Sequence, residues 1–206
     1  MSPDRGAARE FLALGDSYTI GEGVGVAQRW PNQLAQALRE NGVDIGDPQT
    51  IAMTGWTTDE LDAAIDSGNP GDNHALVTLL IGVNNQYRGR SVDEYAEQFS
   101  SLLQRAVGFA EDRNDHVIVV SIPDWGVTRF AQADPFDPVA IATAIDDFNA
   151  AAQAIANLAN VSFVDITDLT RAHPEELVAD GLHPDTAQYA RWVERILPEA
   201  LTRMSR

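Results

Sequence analysis

The sequence predicts an α/β protein built on a doubly wound parallel sheet of five strands. Three observations predict it. Short apolar runs alternate with longer amphipathic segments along the whole chain, the pattern of repeated strand-helix units with right-handed crossovers. The runs Ala75–Ile81 and His116–Ile122 are largely apolar rather than apolar at every second position, as in strands covered on both faces. A chain of 206 residues, 44% of them hydrophobic, suffices for one continuous core, and no linker, repeat or low-complexity tract divides it. One domain over residues 1–206 is expected.

Phe11–Leu14 reads as the first strand. Pro31–Glu40 follows as a helix with Leu34, Ala37 and Leu38 on one side, closed by Asn41-Gly42. Gln49–Met53 is a weak second strand. Thr58–Ser67 is a helix, with Thr57 as N-cap and Glu60 as the acid of a capping box. Ala75–Ile81 is the third strand, ended by Gly82, and Val92–Glu111 is a long helix entered through Ser91. His116–Ile122 is the fourth strand, stopped by Pro123. The connection Pro123–Pro138 carries Trp125, Phe130 and Phe136, an apolar load that predicts a packed cover rather than a solvated loop. Val139–Leu158 is an alanine-rich helix, Val161–Ile166 the fifth strand, and Asp185–Met204 the terminal helix.

Composition removes whole classes of chemistry. The formal charge is -17, so the long-range field repels nucleic acid and anionic membrane surfaces. The chain contains no cysteine and no lysine; thiol nucleophiles, disulfides, thiolate metal sites, Schiff bases and Ser-Lys pairs are all excluded. No run of about 18 apolar residues occurs that would span a membrane. The polar start MSPDRGAARE lacks a signal-type apolar core, so a soluble cytoplasmic protein is expected, or an exported one whose signal has been removed.

Sites in open parallel sheets form beyond the carboxyl ends of the strands. Those positions hold Gly15-Asp16-Ser17, Gly55-Trp56, Gly82-Val83-Asn84-Asn85 and the late segment Asp180-Gly181-Leu182-His183-Pro184. Together they supply a hydroxyl, a histidine with an acid three residues upstream, a side-chain amide and glycine-freed backbone, the parts of an acyl-transfer site. Singly each has a plainer reading: Ser17 and Asn84 as turn residues, Gly55 as a positive-φ loop position, His183 as a solvated residue at a helix start, Asp180 as a surface carboxylate.

GDSYTIGEG near the N-terminus, Gly55 in TGWTTDEL, Gly82-Val83-Asn84 after ALVTLLI, and Asp180-Gly-Leu-His183 together resemble the four blocks of the SGNH hydrolases, also called GDSL esterases/lipases. The blocks come in the family's order and span almost the whole chain. The resemblance implies a flavodoxin-like three-layer sandwich and ester hydrolysis, with Ser17 as nucleophile, His183 as base and Asp180 as its orienting acid. It also implies an oxyanion hole made by the backbone N–H groups of Ser17 and Gly55 and the side-chain amide of Asn84. Tyr18 stands where the family usually has leucine, and Asn85 where aspartate is more typical. Short-chain or acetyl esters are the expected substrates, with lysophospholipids or thioesters as alternatives; the non-enzymatic alternative is a catalytically silent α/β binding module.

Trp56, Tyr87, Trp125 and Phe130 are candidates to line the acyl pocket, set against a role in core or lid packing. His74 and His116 each precede a strand and read as loop or edge residues; His173 reads as structural. No His/carboxylate cluster shows metal-ligand spacing, and Gly21-Glu22-Gly23-Val24-Gly25 fails the dinucleotide pattern at Val26. Neither a metal nor a cofactor is expected, and the expected partner is a small-molecule, sugar or lipid ester. The oligomeric state is left open.

Overall fold

A computed structural model describes residues 8–132 and 136–204. Five strands, β1 (Phe11–Gly15), β2 (Gln49–Ala52), β3 (Leu76–Leu80), β4 (Val117–Val120) and β5 (Ser162–Val164), form one all-parallel sheet in the order β2-β1-β3-β4-β5. The helices are α1 (Ser17–Ile20), α2 (Trp30–Glu40), α3 (Thr58–Gly68), α4 (Val83–Tyr87), α5 (Val92–Phe109), α6 (Pro138–Leu158), α7 (Thr167–Ala172) and α8 (Thr186–Met204). No helix among the described residues is long and apolar enough to cross a membrane.

The sheet explains the apolar runs. Every residue of β1, β3 and β4 is buried, because helices cover both faces: α2 packs on α8, while α5 packs on α3 and on α6. β2 is an edge strand and partly exposed, which is why its sequence, QTIA, carries a weaker signal. The order reverses at β1, with β2 on one side and β3 on the other, so a crevice opens between the chains leaving β1 and β3.

Sequence-derived boundaries differ from the observed ones by at most two residues, in the strands because apolar burial continues past the last ladder hydrogen bond. Ile81 and Ile122 are buried but lie beyond their strands. Three short helices, α1, α4 and α7, were not expected from the sequence. Each has only four to six residues, too few for a 3.6-residue period to show. They follow β1, β3 and β5 in turn, close to the end of the sheet where the crevice lies.

Beyond the last ladder bonds of β4 and β5 a polar network replaces the sheet. Asn149, on α6, accepts from the Ile122 amide at 2.9 Å and donates to the Ile122 carbonyl at 3.0 Å and to the Thr167 hydroxyl at 3.0 Å. Ser121 donates to Asp165 and accepts the Ile166 amide. Burial raises the Asp165 pKa, but the amide and hydroxyl of Thr167 and the hydroxyl of Ser121 outweigh it and hold the carboxyl below its ordinary range. This network fixes how the chain leaves β4 and enters the aromatic cover; residues 133–135 of that connection lie outside the described residues.

Replacing Asn149 with alanine strands the Ile122 amide, while the Ile122 carbonyl keeps the Thr167 hydroxyl at 3.0 Å, so the expected loss is about 1–3 kcal/mol. The midpoint of urea denaturation should fall accordingly; an unchanged midpoint would show that water replaces the amide at no cost.

Candidate active site

Ser17 is the first residue of α1, immediately past β1, and is 4% exposed. Asp16 caps that short helix, its Oδ1 accepting the Tyr18 amide at 3.0 Å. Its Oδ2 is buried with no hydrogen-bond partner among the described residues. Burial is the dominant influence on Asp16, partly offset by its backbone hydrogen bonds, and pushes its pKa up to about 7.

Asp180 and His183 form a self-contained turn. Asp180 Oδ1 accepts the amides of Leu182 at 2.8 Å and His183 at 3.0 Å, while Oδ2 accepts from His183 Nδ1 at 2.7 Å. Gly181, between them, has φ +73°, a conformation that a side chain would strain. Burial alone would raise the Asp180 pKa; the His183 ring and the two amides together bring it below the ordinary value. With Nδ1 committed as donor, Nε2 is the nitrogen left to exchange a proton. The Tyr18 ring packs 5.5 Å from the imidazole, centroid to centroid, and against Trp192 behind it.

The Gly55 loop is held by hydrogen bonds from several directions. Thr54 donates to Glu22, Arg88 Nη2 donates to the Gly55 carbonyl at 2.7 Å, and Asn84 Nδ2 donates to the Trp56 carbonyl at 2.9 Å. An Asn side chain carries two N–H groups, so Asn84 keeps a second donor beyond the one Trp56 uses. Gly82, ahead of α4, has φ +132°, and a Cβ there would sit 2.6 Å from the Tyr95 ring. Only glycine admits the helix that presents Asn84.

Asn85 is fully buried and grips the start of α3. Its Oδ1 accepts the Thr58 amide at 3.1 Å and its Nδ2 donates to the Thr58 hydroxyl at 2.7 Å, while that hydroxyl donates to Gln98. A neutral amide suits this place because it offers an acceptor and a donor to the same residue with no charge to desolvate.

A cavity of about 190 Å³ gathers Ser17, Gly55, Asn84 and His183, with Tyr87, Trp125 and Phe130 on its apolar side. Asp180 stands behind His183. Tyr18, Thr54, Val83 and Leu182 also line the cavity and were not among the residues read from the sequence as pocket positions; they are chain neighbours of ones that were. Trp56 does not line it. Its indole packs against the core and only its carbonyl serves the site, because Gly55, at φ +88°, turns the chain before Trp56.

The connection after β4 packs as a cover. Trp125 lies 5.4 Å from Tyr87 and 5.1 Å from Phe136, edge-on to both, and Phe130 lies 5.5 Å from Phe136. Trp125 Nε1 donates to Gln86 at 2.7 Å, and buried Asp124 pairs with Arg171 at 2.8 Å. His74 and His116 are loop residues but are buried, His74 Nδ1 lying 3.2 Å from the Phe109 carbonyl. His173 does meet carboxylates: its ligand atom and those of Glu175 and Glu176 lie within 4.8 Å of one another. The sequence spacing did not signal this group, and Glu176 is engaged by Arg191 through both oxygens.

A parallel 2-1-3-4-5 sheet with serine, glycine, asparagine and histidine converging at its carboxyl end defines the SGNH type of α/β protein. The sequence profile of the GDSL-like Lipase/Acylhydrolase family matches residues 13–191, and the chain belongs to that family. No curated protein matches the sequence. Among solved structures the chain resembles TesA, at 20% identity over 95% of this chain and 99% of that one, with a TM-score of 0.74. The lipase/acylhydrolase from Enterococcus faecalis gives 20% identity, 95% and 96% coverage and a TM-score of 0.74. Axe2, an acetylxylan esterase from Geobacillus stearothermophilus, gives 20% identity, 95% coverage of each chain and a TM-score of 0.71. At these identities the likeness is one of fold.

Asp16 yields a prediction with a definite sign. A carboxyl raised from its ordinary value to about 7 in the fold costs nothing below the unfolded pKa and its full penalty above pH 7. Asp16→Asn removes that penalty. Its melting temperature relative to wild type should therefore climb between about pH 4 and pH 7 and then level; a constant difference across that window would contradict a protonated Asp16.

Proposed function

We propose that the chain is a serine ester hydrolase acting on short-chain esters through Ser17, His183 and Asp180. The observation that carries this reading is the 2.7 Å contact from Asp180 to His183 Nδ1, made by a histidine that faces the same cavity as Ser17, Gly55 and Asn84. In the proposed reaction His183 Nε2 takes the Ser17 proton as Oγ attacks the ester carbonyl carbon. Asp180 fixes the ring's tautomer and stabilises the imidazolium. The carbonyl oxygen, now negative, receives the N–H groups of Ser17 and Gly55 and the free N–H of Asn84. As the tetrahedral species collapses, the C–O bond to the alcohol breaks and His183 returns the proton to the leaving oxygen. Water then attacks the acyl-serine by the same route, regenerating Ser17 and releasing the acid.

The cavity's size and walls support a choice among substrates. About 190 Å³ compares with the ~150 Å³ of apolar space that accommodates benzene, so a chain of about six carbons fills the cavity and a longer one extends past its walls. Val83, Tyr87, Trp125, Phe130 and Leu182 line that space and reward an apolar acyl group. Acetyl sugars remain a relevant comparison because Axe2 is named an acetylxylan esterase.

A series of p-nitrophenyl esters from acetate to palmitate, run beside an acetylated xylo-oligosaccharide and a lysophospholipid, should give the highest kcat/KM near about six acyl carbons. Asn84→Ala should lose about 10²–10³ in kcat with an unchanged circular dichroism spectrum. Failure of folded wild-type protein to cleave any of these esters would overturn the hydrolase reading; wild-type turnover by Asn84→Ala would overturn the oxyanion assignment.

A further inference from the structure

Gly55 is held by hydrogen bonds rather than by packing. It has φ +88°, and a Cβ built there would meet a single atom within 4 Å, Arg88 Nη2 at 3.9 Å. Glycine is the residue whose backbone rotates most freely, so the direction of the Gly55 peptide depends on whatever grips its polar atoms. Arg88 grips its carbonyl at 2.7 Å and, with the neighbouring nitrogen, Glu60 at 3.2 Å. Glu60 in turn holds the Thr57 amide at 2.9 Å, so the guanidinium spans the loop from Gly55 to the first turn of α3.

A stability role does not account for this arrangement. The Arg88–Glu60 pair is about 40% exposed on both sides, and exposed pairs contribute at most about 1 kcal/mol. Placement is more telling. Arg88 closes α4, four residues after Asn84, and Asn84 binds the next carbonyl of the same loop, that of Trp56. One short helix therefore carries a side-chain donor facing the cavity and two clamps on the backbone that bears the other donor.

We infer that Arg88 is a positioning residue, which anchors the Gly55 backbone beside α4 through its carbonyl and so keeps the Gly55 N–H in register with the Asn84 amide. The inference rests on the hydrolase reading for its catalytic consequence, but the clamp itself is a property of the loop. Arg88 holds the carbonyl of the Gly55–Trp56 peptide, whereas the Gly55 N–H belongs to the Thr54–Gly55 peptide, joined to it at the Gly55 Cα. Without Arg88 that Cα is tied on this side only through Trp56, whose amide bonds the Met53 carbonyl at 3.3 Å and whose carbonyl bonds Asn84. The Cα then shifts, and a donor needed within a few tenths of an ångström of one place is spread over several. The donor is misdirected rather than removed, so its loss should cost less than deleting a donor outright.

Two measurements on Arg88→Ala, Arg88→Lys and the control Arg90→Ala test it. Arg90 makes similar surface pairs, but with Asp59 and Glu94 rather than with the Gly55 loop. Ester kinetics should show kcat down about 10-fold in Arg88→Ala, KM within about 2-fold, an intermediate value in Arg88→Lys because a point charge cannot span both partners, and no change in Arg90→Ala. Amide hydrogen exchange followed by NMR should show the Trp56 amide, which shares a peptide with the Gly55 carbonyl and bonds the Met53 carbonyl at 3.3 Å, exchanging faster in Arg88→Ala, with the melting temperature unchanged. Wild-type kcat in Arg88→Ala, or Trp56 exchange as slow as in wild type, overturns the inference. An inert wild-type protein would overturn the hydrolase reading instead, and Trp56 exchange would still decide the clamp.

Discussion

β1 pairs in parallel with β2 on one side and β3 on the other, with Gly15 level with both Ala52 and Leu80. Because the three strands end together, the chains leaving them emerge side by side, and Ser17, Gly55 and Asn84 follow within two to four residues. Burial of every residue in β1 and β3 keeps that register from slipping, since a one-residue shift would turn each side chain to the opposite face. His183 is the exception: it comes from the far end of the chain and is seated by its own turn around Asp180.

The loops that follow this rigid base are fixed by polar contacts of high sequence separation. Asn84 to Trp56, Asn85 to Thr58 and Arg88 to Gly55 run from α4 to the chain after β2, while Asn149 and Ser121 secure the exit of β4. Apolar contacts then close the far wall through Tyr87, Trp125, Phe130 and Phe136. The division has a physical reason. A site must leave its donors exposed to the substrate, so the loops bearing them cannot be buried by packing and must be held by hydrogen bonds from behind.

Much of the fold was legible because it rests on periodicity. The apolar runs of β1, β3 and β4 and the amphipathic faces of α2 and α5 can be read without knowing any partner. The residues gathered at the cavity were legible for a different cause, since strand ends in a parallel sheet face one crevice and Ser17, Gly55 and Asn84 fall there, while His183 was marked by the acid three residues before it. What stayed hidden depends on direction and on distance along the chain. Trp56 adjoins Gly55 in sequence, yet the turn at Gly55 sends its indole into the core. Arg88, Asn149 and Asn85 look like ordinary solvated or turn residues, and their partners lie 27 to 33 positions away. His74 and His116 stand before strands as loop or edge residues would, yet both are buried, His74 against the end of α5 and the turn ending at His116 against α8.

The central claim is that Ser17 is a nucleophile activated by His183, and a fluorophosphonate probe tests it most directly. Peptide mapping of the labelled protein should place the adduct on Ser17, and His183→Ala, still folded, should label far more slowly. Absence of labelling in folded wild-type protein, or labelling at another hydroxyl at the same rate in both proteins, would contradict the account.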